Sequence, residues 1–307
     1  MKVFIASSSF AEHDKEPLRM IEAAGLTCVF NPLGKRLQPL EIVTYGKDCQ
    51  GIIAGLEQYT DAVLEALPQL RCISRCGVGV DNISLKKAKE LKIEVRNTPD
   101  VVIQPVAELT VAMIFDLLKN LTVQATLMRT KRWERKIGGL LMGKKVGVLG
   151  LGRIGKRVAE ILRSLKADVY GFDIAADERW AKEKGITHVS LEELLRCSDI
   201  VTIHLSNNGN GRFELGDKEI ALMKDGAMVI NTSRGDFINE EALADALKRG
   251  KLAGAALDVY KTEPYTGILC DLENVILTPH IATFTVESRR QMEIEASQNI
   301  INTLVLR

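Results

Sequence analysis

Residues 145–173, KVGVLGLGRIGKRVAEILRSLKADVYGFD, leave this chain few architectures to choose from. The stretch opens with an apolar run, 146–149, too short for a helix and suited to a buried strand. Gly150, Gly152 and Gly155 follow in G-x-G-x-x-G spacing, and Ile154, Val158, Ile161 and Leu162 then recur at helical intervals. A second apolar run ends at Asp173. Strand, turn, helix, strand and terminal acid in this order are the pattern of a dinucleotide-binding βαβ unit. Gly150 permits the tight turn, Gly152 lets backbone approach a pyrophosphate, and Gly155 lets the helix pack on the strand. The helix start at Arg153 and Ile154 offers N–H groups and a positive dipole end to phosphates. Asp173 can accept both ribose hydroxyls and repels a 2′-phosphate. Ile174, Ala175 and Ala176 bring no arginine to bind one, and the nearest is Arg179. NAD is therefore expected over NADP.

At 307 residues, two domains are expected. Hydrophobic residues make up 46% and charged residues 26%, enough for two cores and against disorder. A formal charge of +1 argues against a nucleic-acid partner. Cys28, Cys49, Cys72, Cys76, Cys197 and Cys270 lie mostly in apolar runs without C-x-x-C spacing, which predicts buried free thiols in a reducing compartment. No signal peptide is read in the first residues. The longest apolar region, 101–118, is interrupted by Gln104, Glu108 and Asp116, so no membrane span is expected and the cytoplasm is the expected location.

Strands and helices alternate before the glycine-rich unit as well as after it. Strands are expected at 2–6, 26–30, 49–54, 72–74 and 93–95, with helices near 15–24, 60–67 and 85–91. Such alternation implies a parallel sheet with helices on both faces. A long helical region follows, with Pro105 in its first turn and a stripe of Val106, Leu109, Met113 and Leu117 read as core. The run 131–136, KRWERK, reads as a solvated charged face. Beyond Asp173 the rhythm resumes. Ser190 and Glu193 suggest a capping box, and strands are expected at 200–205, 227–230, 254–257 and 275–277. A helix near 240–248 should stop at Gly250, and the final helix, from 286, should pack on the N-terminal part.

In an open parallel sheet, ligands lie beyond the C-terminal strand ends, so the residues that follow the strands outline the site. Asn231, Thr232, Ser233, Arg234 and Gly235 follow one strand, Asp258 the next, then Glu263, and His280 follows the last. Hydride exchange between NAD and a hydroxy acid calls for these residue types. His280 is assigned as acid/base because an imidazole titrates closest to neutrality. Glu263 would hold the ring in one tautomer, and Arg234 would clamp the substrate carboxylate through two parallel hydrogen bonds. Thr232 and Asp258 are assigned to the cofactor, Asp258 on the nicotinamide side. His13 and His188 read as surface residues, and His204 ends a strand where it could line the crevice. No metal site is expected.

The segments ISRCGVGVDNI (73–83), NTPD (97–100), VAELT (106–110), GLGRIG (150–155), NTSRG (231–235), AALDVY (255–260), TEP (262–264) and TPHIA (278–282) resemble the D-isomer-specific 2-hydroxyacid dehydrogenase family, and within it the phosphoglycerate dehydrogenases. The resemblance covers nearly the whole chain and implies the same roles for Arg234, Glu263 and His280. It further implies a Rossmann NAD-binding domain, 98–284, inserted into a flavodoxin-like substrate domain, 1–97 plus 285–307, both doubly wound parallel sheets. Domain closure over substrate and a homodimer formed through the NAD-binding domain follow by the same route. Backbone N–H groups around Val78 and Gly79 would hold the substrate carboxylate, glycine allowing close approach. Arg75 and Arg135 match arginines that bind a substrate phosphate, the latter reaching a neighbouring subunit's site.

Two departures stand out. Leu56 and Glu57 occupy positions where phosphoglycerate dehydrogenases often carry an arginine and a serine, and SNNGNGRF (206–213) replaces a proline-bearing segment near the adenine. The serine-sensing extension of longer members is not expected. Oxidation of 3-phosphoglycerate is the first expectation, with hydroxypyruvate or glyoxylate reduction as the alternative. An NAD-sensing corepressor would instead call for a peptide-binding surface, and a methyltransferase for S-adenosylmethionine.

Overall fold

The computed structural model describes residues 1–206 and 213–306 and divides the chain into two units, Met1–Val102 with Thr283–Arg307, and Ile103–Ala282. Each carries one wholly parallel sheet.

In the first unit the strands are β1 (Lys2–Ile5), β2 (Thr27–Phe30), β3 (Gly51–Ala54), β4 (Cys72–Arg75) and β5 (Glu94–Arg96). Their order, β2-β1-β3-β4-β5, is that of flavodoxin-like folds. Side chains alternate between the faces with a period of two. Phe4, Ile52 and Ile73 enter one core with Tyr59, while Val3, Ile5, Ile53 and Cys72 enter the other. The second core is closed by Ala296, Ile300 and Leu304 of the helix Val286–Leu304. A methyl group at Gly51 would lie 3.0 Å from Leu304 Cδ1 and 3.1 Å from Ile300 Cδ1, so glycine there lets the helix approach the sheet. The same helix is tied to the loop after β1 by a partly buried ion pair. Arg289 Nη2 donates to Glu293 Oε1 at 2.6 Å and to Ser9 Oγ at 2.9 Å, while Glu293 Oε2 accepts from the Ala11 amide at 3.0 Å. The chain's two ends thus complete one core.

The second unit holds β6 (Lys145–Leu149), β7 (Asp168–Phe172), β8 (Thr187–His188), β9 (Ile200–Ile203), β10 (Ala227–Asn231), β11 (Leu252–Leu257) and β12 (Val275–Leu277). The order β12-β11-β10-β9-β6-β7-β8 reverses direction beside β6, which pairs with β7 on one side and β9 on the other. This switch point puts the loop after β6 where a doubly wound sheet binds its ligand. Helices Ile103–Lys119 and Arg153–Ser164 cover one face. Helices Leu191–Cys197 and Glu240–Lys248 cover the other.

Several local expectations need adjusting. Of the stripe in Ile103–Lys119, Val106 and Met113 are buried while Leu109 and Leu117 are only half-buried. The buried face instead takes in Ala107, Thr110, Ile114 and Leu118. Thr110 is tolerated there because its hydroxyl donates to the Val106 carbonyl, one turn back, at 2.8 Å. Ser190 caps its helix by accepting from the Glu193 amide at 3.2 Å. Gly250 has φ of +73°, the left-handed stop read from sequence. Of the six cysteines, Cys49, Cys72 and Cys76 are buried, but Cys270 is exposed, since its short 3-10 turn Ile268–Asp271 turns inward only Leu269. Among the described residues no helix is long and apolar enough to cross a membrane.

Candidate active site

The loop after β6 shows why each glycine is needed. Gly150 has φ of +93°, and a Cβ there would meet the His204 carbonyl oxygen at 2.6 Å. Gly155 is pressed onto the loop, with a Cβ placed 1.8 Å from the Gly150 oxygen. Gly152 differs from both: a Cβ would meet nothing within 4 Å. It precedes helix Arg153–Ser164 without a side-chain cap and borders a cavity of about 790 Å³. A helix start of this kind, open and positively polarised, suits a pyrophosphate. Asp173 lines the same cavity. Its Oδ2 accepts from the Leu151 amide at 2.7 Å and its Oδ1 from the Ala175 amide at 2.9 Å. Two backbone donors fix the carboxylate, and each oxygen keeps a further lone pair for a ribose hydroxyl. These residues fit NAD. Arg153 is exposed and Ile154 half-buried, as their helix-start positions require.

His204 also borders the cavity, but its chemistry differs from that of His280. Its Nε2 lies 2.9 Å from Thr202 Oγ1, and among the described residues its buried Nδ1 has no hydrogen-bond partner. Burial pushes its pKa down to about 3, so the ring is neutral at ordinary pH and cannot serve as a proton donor. His13 and His188 are exposed.

His280 is paired. Its Nδ1 lies 3.1 Å from Glu263 Oε1 and 3.0 Å from Oε2, with both side chains partly open to solvent. A carboxylate can only accept, so Nδ1 carries the hydrogen and Nε2 is left to exchange a proton. Glu263 is fixed in turn by the Tyr260 amide, which donates to Oε1 at 3.3 Å. Tyr260 stacks on Tyr265 at 4.2 Å between ring centres.

Arg234 is carried by a loop organised around Asn231, a fully buried residue at the end of β10. Asn231 Oδ1 accepts from the Ser233 amide at 3.0 Å and the Ser233 hydroxyl at 2.8 Å, while its Nδ2 donates to the Arg234 carbonyl at 2.8 Å. The next residue brings this loop against the one bearing Glu263. A Cβ on Gly235 would lie 1.9 Å from the Tyr260 carbonyl carbon, so the two backbones touch and any side chain would force them apart. The Asp258 amide adds a bond to the Asn231 carbonyl at 3.0 Å. Thr232 is buried, its hydroxyl 2.9 Å from that of Thr110. Because Thr110 spends its proton on Val106, Thr232 is the donor of that pair. Sequence placed Asn231 among the residues after the strand without a role of its own and did not single out Tyr260. The signal for Asn231 was a short polar side chain at a strand end, two residues before a serine.

In the first unit, β4 ends at Arg75, and the segment after it carries Val78 and Gly79, both half-buried. Gly77, just before them, has a positive φ of +130°. Gly77 is held by its amide donating to Thr98 Oγ1 at 2.8 Å, and Asn97 Nδ2 donates to the Val78 carbonyl at 2.7 Å. Arg75 Nη1 donates to the Cys76 carbonyl and braces the loop. Glu57 is buried, and its Oε2 accepts from the Gly55 amide at 2.7 Å. Arg135 sits in the exposed run 131–138. Of the segment 206–213, residues 207–212 lie outside the described residues. Among the described residues no three His, Cys, Asp or Glu side chains are grouped to hold a metal ion.

The family model for the "D-isomer specific 2-hydroxyacid dehydrogenase, NAD binding domain" matches residues 111–282. A glyoxylate reductase of Korarchaeum cryptofilum is 34% identical, over 85% of this chain and 81% of its own. A hydroxypyruvate reductase of Thermotoga maritima is 34% identical, over 82% and 84%. A D-3-phosphoglycerate dehydrogenase of Archaeoglobus fulgidus is 35% identical, over 82% of this chain and 49% of its own. Among solved structures, D-lactate dehydrogenase from Aquifex aeolicus, complexed with NAD and lactic acid, superposes with a TM-score of 0.84 at 28% identity, covering 98% of this chain and 95% of that one.

Proposed function

The chain belongs to the D-isomer-specific 2-hydroxyacid dehydrogenase family, and from that membership we propose that it reduces a small 2-oxo acid, glyoxylate or hydroxypyruvate, to the 2-hydroxy acid. It is an NAD-dependent oxidoreductase of the 2-hydroxy acid and 2-oxo acid class. The observation that carries the chemistry is the Glu263–His280 pair, at 3.0 Å, in loops that follow strands of the same sheet as β6 and its glycine loop. Bound NAD supplies the two-electron donor or acceptor at its nicotinamide ring. His280 Nε2 gives a proton to the carbonyl oxygen during reduction and takes it from the hydroxyl during oxidation. Glu263 keeps Nδ1 protonated and favours the imidazolium that proton uptake creates. Arg234 binds the substrate carboxylate and polarises the adjacent carbonyl. Backbone N–H groups near Val78 and Gly79 complete the carboxylate's hydrogen bonds in this reading.

Sequence alone put 3-phosphoglycerate first. Two observations favour the smaller substrates. Glu57 presents a buried carboxylate, with Leu56 beside it, where the resemblance would place phosphate-binding groups, and an anion there repels a phosphate. Glyoxylate and hydroxypyruvate reductases stand among the relatives of comparable length. Initial rates with NADH on glyoxylate, hydroxypyruvate and phosphohydroxypyruvate test this. The expected kcat/KM on one of the unphosphorylated acids is at least ~10-fold above that on phosphohydroxypyruvate, since tenfold corresponds to ~1.4 kcal/mol of lost binding. The reverse order would restore the phosphoglycerate reading.

The same reading includes a homodimer. Residues 121–142 expose Leu121, Met128, Trp133, Ile137, Leu140 and Met142, with Ile137 at 98% and Trp133 at 82% exposure. Six large apolar side chains exposed in one run of 22 residues support an interface there, and Arg135 lies within that run. Sedimentation velocity is expected to give a dimer that Ile137→Glu converts to monomer. A monomeric parent would remove this element.

A further inference from the structure

Glu57, in the loop after β3, carries a carboxylate of which the protein fills only one oxygen. The residue is 3% exposed. Its Oε2 accepts from the Gly55 amide at 2.7 Å, and among the described residues no donor reaches Oε1 and no cation pairs with it. Arg36 turns its Nη2 to the Leu56 carbonyl instead. A buried carboxylate is costly unless its lone pairs are filled. The loop after β3 runs beside the one that carries Val78 and Gly79. Ala54 pairs in register with Arg75, and the Cys76 amide donates to the Ala54 carbonyl at 2.9 Å, so the two segments leave the sheet as neighbours, ~5 Å apart. Asn82 ties them together: its Nδ2 donates to the Glu57 carbonyl at 2.6 Å, and its own carbonyl accepts from the Tyr59 amide at 2.8 Å. The amides of Val78 and Gly79 donate to nothing among the described residues. Ser7, in the loop after β1, borders the same place, since a Cβ on Gly55 would lie 3.2 Å from Glu57 Oε1 and 3.5 Å from Ser7 Cβ.

We propose that Glu57 selects the substituent on carbon 3 of the substrate: its Oε1 accepts a hydrogen bond from a 3-hydroxyl group, which makes hydroxypyruvate, and not glyoxylate, the acid this site is built for. The inference rests on the reading in which the Val78 and Gly79 amides hold the substrate carboxylate. From carboxylate to 3-hydroxyl, a three-carbon 2-oxo acid spans about the separation of neighbouring strands. An acid held by those amides therefore reaches the loop after β3 with its third carbon. A hydroxyl suits Oε1 because it supplies a proton and no charge. The methyl group of pyruvate supplies none and leaves a desolvated carboxylate oxygen unsatisfied. Glyoxylate has no third carbon, and a phosphate sets anion against anion. Ser7 adds a hydroxyl beside the carboxylate, a donor for the oxygen of the same substituent.

The test compares acids that differ by one hydroxyl. D-Glycerate and D-lactate are titrated calorimetrically into the NADH-bound protein, where no turnover occurs. D-Glycerate is expected to bind at least ~10-fold more tightly, the range of a hydrogen bond to a buried charged group. Glu57→Gln keeps an oxygen for the Gly55 amide and removes the charged acceptor, and it is expected to bring the two affinities within ~3-fold. In kinetics the same variant is expected to cut the kcat/KM ratio of hydroxypyruvate to pyruvate by ~5-fold or more, through KM more than kcat, with the NADH dissociation constant within ~2-fold of the parent. The hydroxyl also alters the reactivity of the carbonyl, so the change in that ratio is the readout. If Glu57→Gln does not fold, Ser7→Ala is expected to narrow the difference between glycerate and lactate by ~3-fold, and the parent's own difference still decides. Three results would each overturn the proposal while leaving a reductase of unphosphorylated acids in place: equal binding of D-glycerate and D-lactate by the parent, a ratio unmoved by Glu57→Gln, or a kcat/KM on glyoxylate above that on hydroxypyruvate. A preference for phosphohydroxypyruvate would overturn the functional reading, and this inference with it.

Discussion

His280→Ala is expected to lower kcat by ~10²–10⁴-fold, the span that a positioned acid/base contributes. NADH affinity, followed by fluorescence, should stay within about twofold. The two effects separate because the proposed role of His280 is on a proton at the substrate oxygen, whereas the proposed coenzyme contacts lie along the loop after β6 and at Asp173, which line one cavity. A loss of ~10³-fold corresponds to ~4 kcal/mol of transition-state stabilisation. No other described histidine can take over. His204 is buried and neutral, and His13 and His188 are exposed. A variant that turns over like the parent would take the acid/base role away from residue 280.

The second large effect concerns stability in acid and comes from His204. Its folded pKa, about 3, lies well below the unfolded value near ~6.5, because burial disfavours the charged ring. The sign follows from linkage. The unfolded chain binds the proton first, so the contribution is complete above about pH 6.5 and is lost as pH falls toward the folded value. Going from about pH 7 to about pH 4.5 should cost the parent ~2–3 kcal/mol more than His204→Gln, which has no group to protonate. Urea unfolding followed by tryptophan fluorescence would measure this, since Trp133 and Trp180 both lie in the unit that carries His204. Equal acid sensitivity in parent and variant would mean that the ring is not held neutral.

These two histidines show where reading a chain residue by residue stops. Both follow strands, and nothing in their neighbours separates them with certainty. His280 is paired with Glu263, seventeen positions earlier, and His204 is defined by the packing that closes over it. Burial and pairing are properties of the folded surroundings. Cys270 makes the same point in reverse, since its apolar flanks suggested burial and the chain leaves it exposed. In the loop after β4, the resemblance pointed to the amides of Val78 and Gly79, and the positive φ falls on Gly77 beside them. Two glycines two positions apart look alike until the path of the chain is known.

What the sequence determined by itself was everything set by short-range periodicity. Strand and helix alternation, the order strand–glycines–helix–acid, and polar residues following strands are repeats of two to about four residues imposed by backbone geometry. They specified two parallel sheets, the dinucleotide loop, and Arg234, Glu263 and His280 as residues at strand ends. Only the tertiary structure decided which of these groups meet. A carboxylate at 258 closing on the amides of 281 and 282, a glycine at 235 with no room for a methyl group, and a threonine pair joining positions 110 and 232 all depend on distances between segments far apart in the chain. A donor's partner is chosen by the packing of whole elements, and no local pattern encodes that choice.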